Sequence, residues 1–126
     1  MRPVDGETHE RAAEICRALI EVSQERSGRH SAFSVRGRRF AWLVDDHHGD
    51  GRLAIHCRTA PGQSAALVAA DPTRFFLPPY LGPRGWVGMF LDRPPVRWDE
   101  VQELITTSYI LTAPKDLGGQ AQVDRG

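Results

Sequence analysis

A chain of 126 residues with 40% hydrophobic side chains is the size of one ordinary domain and can bury a core of its own. Sixteen basic residues balance sixteen acidic ones, so no whole-molecule field recruits nucleic acid or anionic membrane, and any such contact must come from a local patch. The sequence has neither an apolar run of about 18 residues nor an apolar secretory region near its start, so the expectation is a cytoplasmic protein without a membrane span.

Ala12, Ile15, Cys16, Leu19 and Ile20 recur at helical spacing and predict an amphipathic helix from about Thr8 to Val22 that covers a sheet. Ala32 to Val35 and Arg39 to Val44 read as strands joined across Arg36-Gly37-Arg38, a short connection of the hairpin kind. After the polar loop Asp45 to Gly51, residues 52–57 alternate. Leu53, Ile55 and Cys57 fall on one face and Arg52, Ala54 and His56 on the other, which completes a three-stranded antiparallel meander.

Pro61 opens a short, alanine-rich helix that Asp71-Pro72 interrupts. Phe75 to Tyr80 contains two prolines, which donate no ladder hydrogen bond, so this stretch reads as an extended segment and not a central strand. In Tyr80-Leu81-Gly82-Pro83-Arg84-Gly85-Trp86-Val87, Pro83 presets the second position of a turn and Gly85 suits the fourth. That turn displays Arg84 beside Trp86, the first residue of a fourth strand running to Leu91. Asp99 is the predicted cap of a last helix whose inward face is Val101, Leu104, Ile105, Ser108, Tyr109 and Thr112, with Pro114 at its end. Residues 1–117 form one domain, and the polar, glycine-rich 118–126 is expected to be disordered. The fold class is α+β, an antiparallel sheet flanked by helices in the order α-β-β-β-α-β-α.

Three stretches stand in a characteristic order: Phe33-Ser34-Val35-Arg36-Gly37-Arg38-Arg39-Phe40-Ala41, the Tyr80 to Val87 turn, and Ser108-Tyr109 followed by Ala113-Pro114-Lys115. In these the chain resembles the MmcQ/YjbR-like family, small bacterial proteins described as having a double-wing, DNA-binding-like fold, and the resemblance covers most of its length. It departs from the family's usual lysine at position 38 or 39, where arginine keeps the charge. A usual Leu-Pro pair after the first helix is absent, with Ile20-Glu21-Val22-Ser23 in its place. The resemblance implies an α+β domain and a DNA-binding role that rests on fold similarity. Function has to be argued from the site itself.

Between Arg26 and Val44 stand Arg26, Arg29, Arg36, Arg38 and Arg39 with His30 and no carboxylate, the clear basic patch of the chain. It reads either as a cationic hairpin tip directed at phosphates or as a solvated hairpin whose arginines are paired elsewhere. No helix carries the Asn, Gln or Arg cluster that reads base edges, since the second is alanine-rich and the last bears Asp99, Glu100 and Glu103. Contact with DNA is therefore expected to be weak and backbone-directed, through Arg36, Arg38, Arg39, Arg84, Trp86 and Lys115. The alternative is a small aromatic ligand held against Trp42, Phe76, Tyr80, Trp86 and Tyr109, side chains that equally suit a hydrophobic core.

Catalysis finds little to use. Ser108 has no nucleophile elbow around it, His56 and Cys57 alternate across a strand, and no phosphate loop is present, so a non-enzymatic protein without a cofactor is expected. Asp45-Asp46-His47-His48-Gly49-Asp50-Gly51 lacks the terminal Glu of a calcium loop and reads as a hairpin turn, not a metal site. Cys16 and Cys57, with no Cys-x-x-Cys pairing, are expected to be buried free thiols.

Overall fold

The computed structural model describes residues 3–46, 51–93 and 95–117. Helix α1 spans Pro3–Arg17 and is followed by four consecutive strands, β1 (Val22–Ser27), β2 (His30–Val35), β3 (Arg38–Asp45) and β4 (Leu53–Arg58). Helix α2 (Gln63–Ala70), the two-residue strand β5 (Phe75–Phe76), strand β6 (Trp86–Phe90) and helix α3 (Trp98–Thr112) complete the order. The strands form one six-stranded sheet in the order β1-β2-β3-β4-β6-β5, antiparallel at every pairing. The α+β class with a helix-flanked antiparallel sheet is as expected. The expected tail, 118–126, lies outside the described residues.

Two differences come from one stretch. The first helix ends at Arg17, five residues before the predicted boundary, and the chain turns through residues 18–21 into β1. Leu19 and Ile20 kept the helical spacing because they pack against the same core from the turn. Strand β1 was missed because Ser23-Gln24-Glu25-Arg26-Ser27 has no apolar alternation. It is an edge strand whose charged side chains protect its free side. Glu21 sits at φ 60° just before it, held by Arg36 of the facing hairpin, whose Nε and one terminal nitrogen each donate to the carboxylate at 3.0 Å.

The β2–β3 connection is tighter than predicted, with Arg36 and Gly37 alone between paired Val35 and Arg38. Both have positive φ, 48° and 81°, as a two-residue primed turn requires. The prolyl turn at 82–84 is a single 3-10 turn, capped by Gly85 at φ 86°. The last helix begins at Trp98, so Asp99 lies in its first turn beside Glu100 and is not its cap. Phe75–Phe76 is a short edge strand on β6, which agrees with a segment barred from the sheet centre.

All three helices cover one face of the sheet. Ala12, Ala13 and Cys16 of α1 and Val101, Ile105 and Tyr109 of α3 form one cluster with Phe33, Val35, Leu43, Ile55, Cys57, Val87 and Met89 from the strands, and Leu67 and Val68 of α2 pack against it. The alternate strand residues therefore face away from the helices: Ser34 on β2, Trp42 on β3, His56 and Arg58 on β4, Trp86 and Phe90 on β6, and Phe76 on β5. This second face carries the candidate site.

Candidate functional site

Strand β3 holds the device that builds the site. Phe33 pairs with Ala41 but the next residue, Ser34, pairs with Arg39, so Phe40 is an extra residue in β3 and the strand bulges there. Without the bulge, Arg39 and Trp42 would point to opposite faces. With it, Phe40 enters the core edge-on to the Tyr109 ring, centroids 5.4 Å apart, while the Arg39 guanidinium lies over the Trp42 ring at 5.1 Å. The bulge also interrupts the ladder to β4. Buried Ser108 of α3 repairs the gap, donating to the Phe40 carbonyl at 2.5 Å and accepting the Arg58 N–H at 2.8 Å. Ser108, which the sequence places on the inward face of the last helix, is buried there and joins two strands.

Arg58, fixed at the end of β4, is the cross-strand partner of Trp86 and places its guanidinium 5.8 Å from that ring. Trp86 is anchored in turn by the 3-10 turn, its N–H donating to Leu81 O at 3.1 Å, while Thr59 holds Gly85 O through both its N–H (2.8 Å) and its hydroxyl (2.7 Å). A groove of about 490 Å³ results, lined by Arg38, Arg39, Trp42, Arg58, Leu81, Arg84 and Trp86. Two motifs more than forty residues apart in sequence thus meet on one surface. Among the described residues, none of Arg38, Arg39, Arg58 and Arg84 forms an ion pair with a carboxylate.

Two other arginines of the basic patch, Arg36 and Arg29, are neutralised by acids that lie outside it in sequence. Arg36 is bound to Glu21, whose carboxyl is held below its ordinary range by those hydrogen bonds, and Arg29 pairs with Asp45 at 3.2 Å. Of the residues expected to meet DNA, Arg38, Arg39, Arg84 and Trp86 therefore come together. Arg36 faces a different hollow, lined also by Val35, Arg38, Thr112, Ala113 and Pro114, and exposed Lys115 follows the end of α3 without lining the groove.

The five aromatic residues expected around a small ligand do not converge either. Trp42 and Trp86 share the groove, and Phe76 lies farther along the same face. Tyr80 is 91% exposed, and Tyr109 is sealed on the helix side, donating from its hydroxyl to Ile20 O at 2.7 Å. Arg58 was not singled out from the sequence. The period-2 alternation that put Ala54 and His56 on one face was the signal, continued by one step.

Neither cysteine is positioned as a nucleophile. Both are buried free thiols, and burial pushes the thiol pKa of each well upward. The Asp45–Gly51 loop closes as a hairpin, Asp46 N–H donating to Arg52 O at 2.8 Å and Gly51 N–H to Asp46 Oδ1 at 2.6 Å, while 47–50 lie outside the described residues. Among the described residues no helix is long and apolar enough to cross a membrane.

Residues 17–111 match the model of a protein family described as YjbR. The chain belongs to the YjbR family. That span includes the whole sheet, the bulge and the groove, so the site described above lies inside the family domain. The same fold occurs in a solved Deinococcus radiodurans protein, DR2400, described with the domain DUF419, at a TM-score of 0.69 and 20% identity over 90% of this chain and 86% of that one. No curated protein matches this YjbR chain.

Proposed function

We propose that this YjbR chain is a non-enzymatic DNA-binding protein whose phosphate contacts are Arg38, Arg39, Arg58 and Arg84. The observation that carries the reading is the convergence of these four guanidinium groups around one groove with no carboxylate among them. In a chain with balanced charge this is the local concentration of positive charge that a polyanion needs. Two of the four are held over indole rings, which fixes their position without using up their hydrogen-bond donors. Binding is backbone-directed and modest in strength, since four contacts give a salt slope of only about −3 to −4. The reading gives no catalytic role to Cys16 and Cys57, whose thiols are buried, or to Ser108, which is engaged on both sides with backbone.

The test is fluorescence anisotropy of a labelled oligonucleotide from low to near-physiological salt, with Arg39→Glu/Arg84→Glu beside the wild type. Binding that is lost in the variant, at unchanged melting temperature, supports the reading. No binding at low salt sinks it. A second reading, a flat anionic metabolite in the same groove, is favoured by the groove's volume, which lies in the ordinary range of small-ligand sites. Quenching of tryptophan emission by such a compound, with no response to oligonucleotides, would establish it.

A further inference from the structure

Four phosphate-binding arginines explain the charge of the site but leave its aromatic surface unused. The open sheet face continues from the groove as a row set by strand register: Trp42 opposite His56, His56 opposite Gly88, and Gly88 opposite Phe76. Trp42 and His56 ring centroids are 6.1 Å apart, and those of His56 and Phe76 are 5.4 Å apart. Gly88 permits this, because a Cβ there would stand 2.2 Å from the Phe76 ring that lies across it. Trp42, His56 and Phe76 are only half-buried, although a helix-covered core was available on the other face. At one end of the row the Arg39 guanidinium lies over Trp42 and that of Arg58 over Trp86, which is itself buried, with Arg38 and Arg84 beside them.

We infer that this face takes single-stranded nucleic acid in preference to duplex, stacking unpaired bases on the half-buried Trp42 ring, on the Arg39 and Arg58 guanidinium planes, the latter lying over buried Trp86, and along the His56–Phe76 row, while the guanidinium edges of the four arginines meet the phosphates. The inference rests on the nucleic-acid reading above and specifies the form of the polymer. A duplex offers its phosphates outward and keeps its base faces stacked on one another, so the rings of this face would have no partner in it. An unpaired strand supplies a flat apolar face and an anion at every residue, the two chemistries placed side by side here. Aromatic and guanidinium planes on a sheet surface recognise unpaired bases by stacking, which tolerates any sequence and needs no base-reading helix.

The experiment compares four labelled probes of equal length with the full chain at low salt: oligo-dT, oligo-U, a dT·dA duplex, and an abasic deoxyribose-phosphate oligomer that keeps the charge without bases. Oligo-dT or oligo-U is expected to bind about tenfold tighter than the abasic strand and tighter than the duplex. The comparison of dT with U distinguishes a DNA from an RNA ligand. Trp42→Leu is expected to narrow the gap between the single strand and the abasic strand severalfold and leave abasic binding unchanged. Arg58→Lys, which keeps the charge and removes the plane, gives the same readout in a chain whose packing is less disturbed, and its salt slope should stay that of the wild type. Equal affinity for abasic and dT strands, or tighter binding of the duplex, overturns the inference while the phosphate reading survives. No binding of any probe removes both.

Discussion

Ser108 holds Arg58 in place: the hydroxyl of a fully buried helix residue accepts the Arg58 backbone N–H at 2.8 Å and donates to the Phe40 carbonyl across the gap that the β3 bulge opens. One side chain thereby completes the sheet where its own ladder fails and sets the strand end from which Arg58 reaches Trp86. Core and site are coupled at this point.

Replacing Ser108 by Ala removes both bonds and leaves the buried Phe40 carbonyl and the partly buried Arg58 N–H without these partners. The expected cost is about 1–3 kcal/mol of unfolding free energy, read from urea denaturation. The Arg58 amide should also exchange its hydrogen faster than the amides of Ile55 and Cys57 in the same strand. A loss below about 0.5 kcal/mol, the range of an ordinary surface change, would show that the gap closes by itself.

Arg36 and Arg39 are three residues apart in one hairpin and are expected to behave oppositely. Arg36 is committed to Glu21, whereas Arg39 lies in the groove over Trp42. Arg36→Ala should leave oligonucleotide affinity within about twofold of wild type, while Arg39→Ala should weaken it uniformly across sequences and lower the salt slope by about 1. Anisotropy titrations at several salt concentrations check both. A larger loss from Arg36→Ala than from Arg39→Ala would move the interface to the hairpin tip.

These two arginines also show what the sequence alone conveyed. The basic hairpin, the Arg84–Trp86 turn and the α+β order were readable because each depends on neighbours along the chain: glycine and proline at turn positions, alternation within strands, helical spacing in α3. What depended on partners distant in sequence was not readable. Glu21 and Asp45 lie outside the run of arginines they neutralise, so the patch looked larger than it is. Arg58 has no motif of its own and becomes a site residue only through register with Trp86. The bulge at Phe40 left no local mark, and an edge strand of Ser, Gln, Glu and Arg shows no hydrophobic alternation.

Gly88 is the position where the open face is most easily damaged. A methyl group there meets the tip of the Phe76 ring, which must swing away from the sheet and leave His56 and Phe90. Gly88→Ala is expected to cost roughly 1–2 kcal/mol, in the range of an overpacked site. If the face binds single strands, affinity for oligo-dT should fall more than affinity for the abasic strand. Unchanged stability and unchanged affinity together would mean that the Phe76 ring does not rest on Gly88 in solution.

Acid should weaken the tie between the α2–β5 connection and α3. The Thr73 hydroxyl and the Arg74 guanidinium hold the Asp71 carboxyl down at about 2, below its ordinary 3.8, and Arg74 also donates to Glu100 of α3 at 3.0 Å. Because the folded pKa is the lower one, the unfolded chain binds more protons between these values. The contribution is therefore present above about pH 4 and disappears as pH falls through about 2. Asp92 acts in the same direction: burial raises its pKa, but the Arg52 pair and the Leu53 N–H more than offset this and leave it lowered. Melting temperature measured from pH 5 to pH 2 should fall across this window, and Asp71→Asn should flatten part of the fall while changing little at pH 2. A variant with the same slope as wild type would show that Asp71 titrates alike in the folded and unfolded chain.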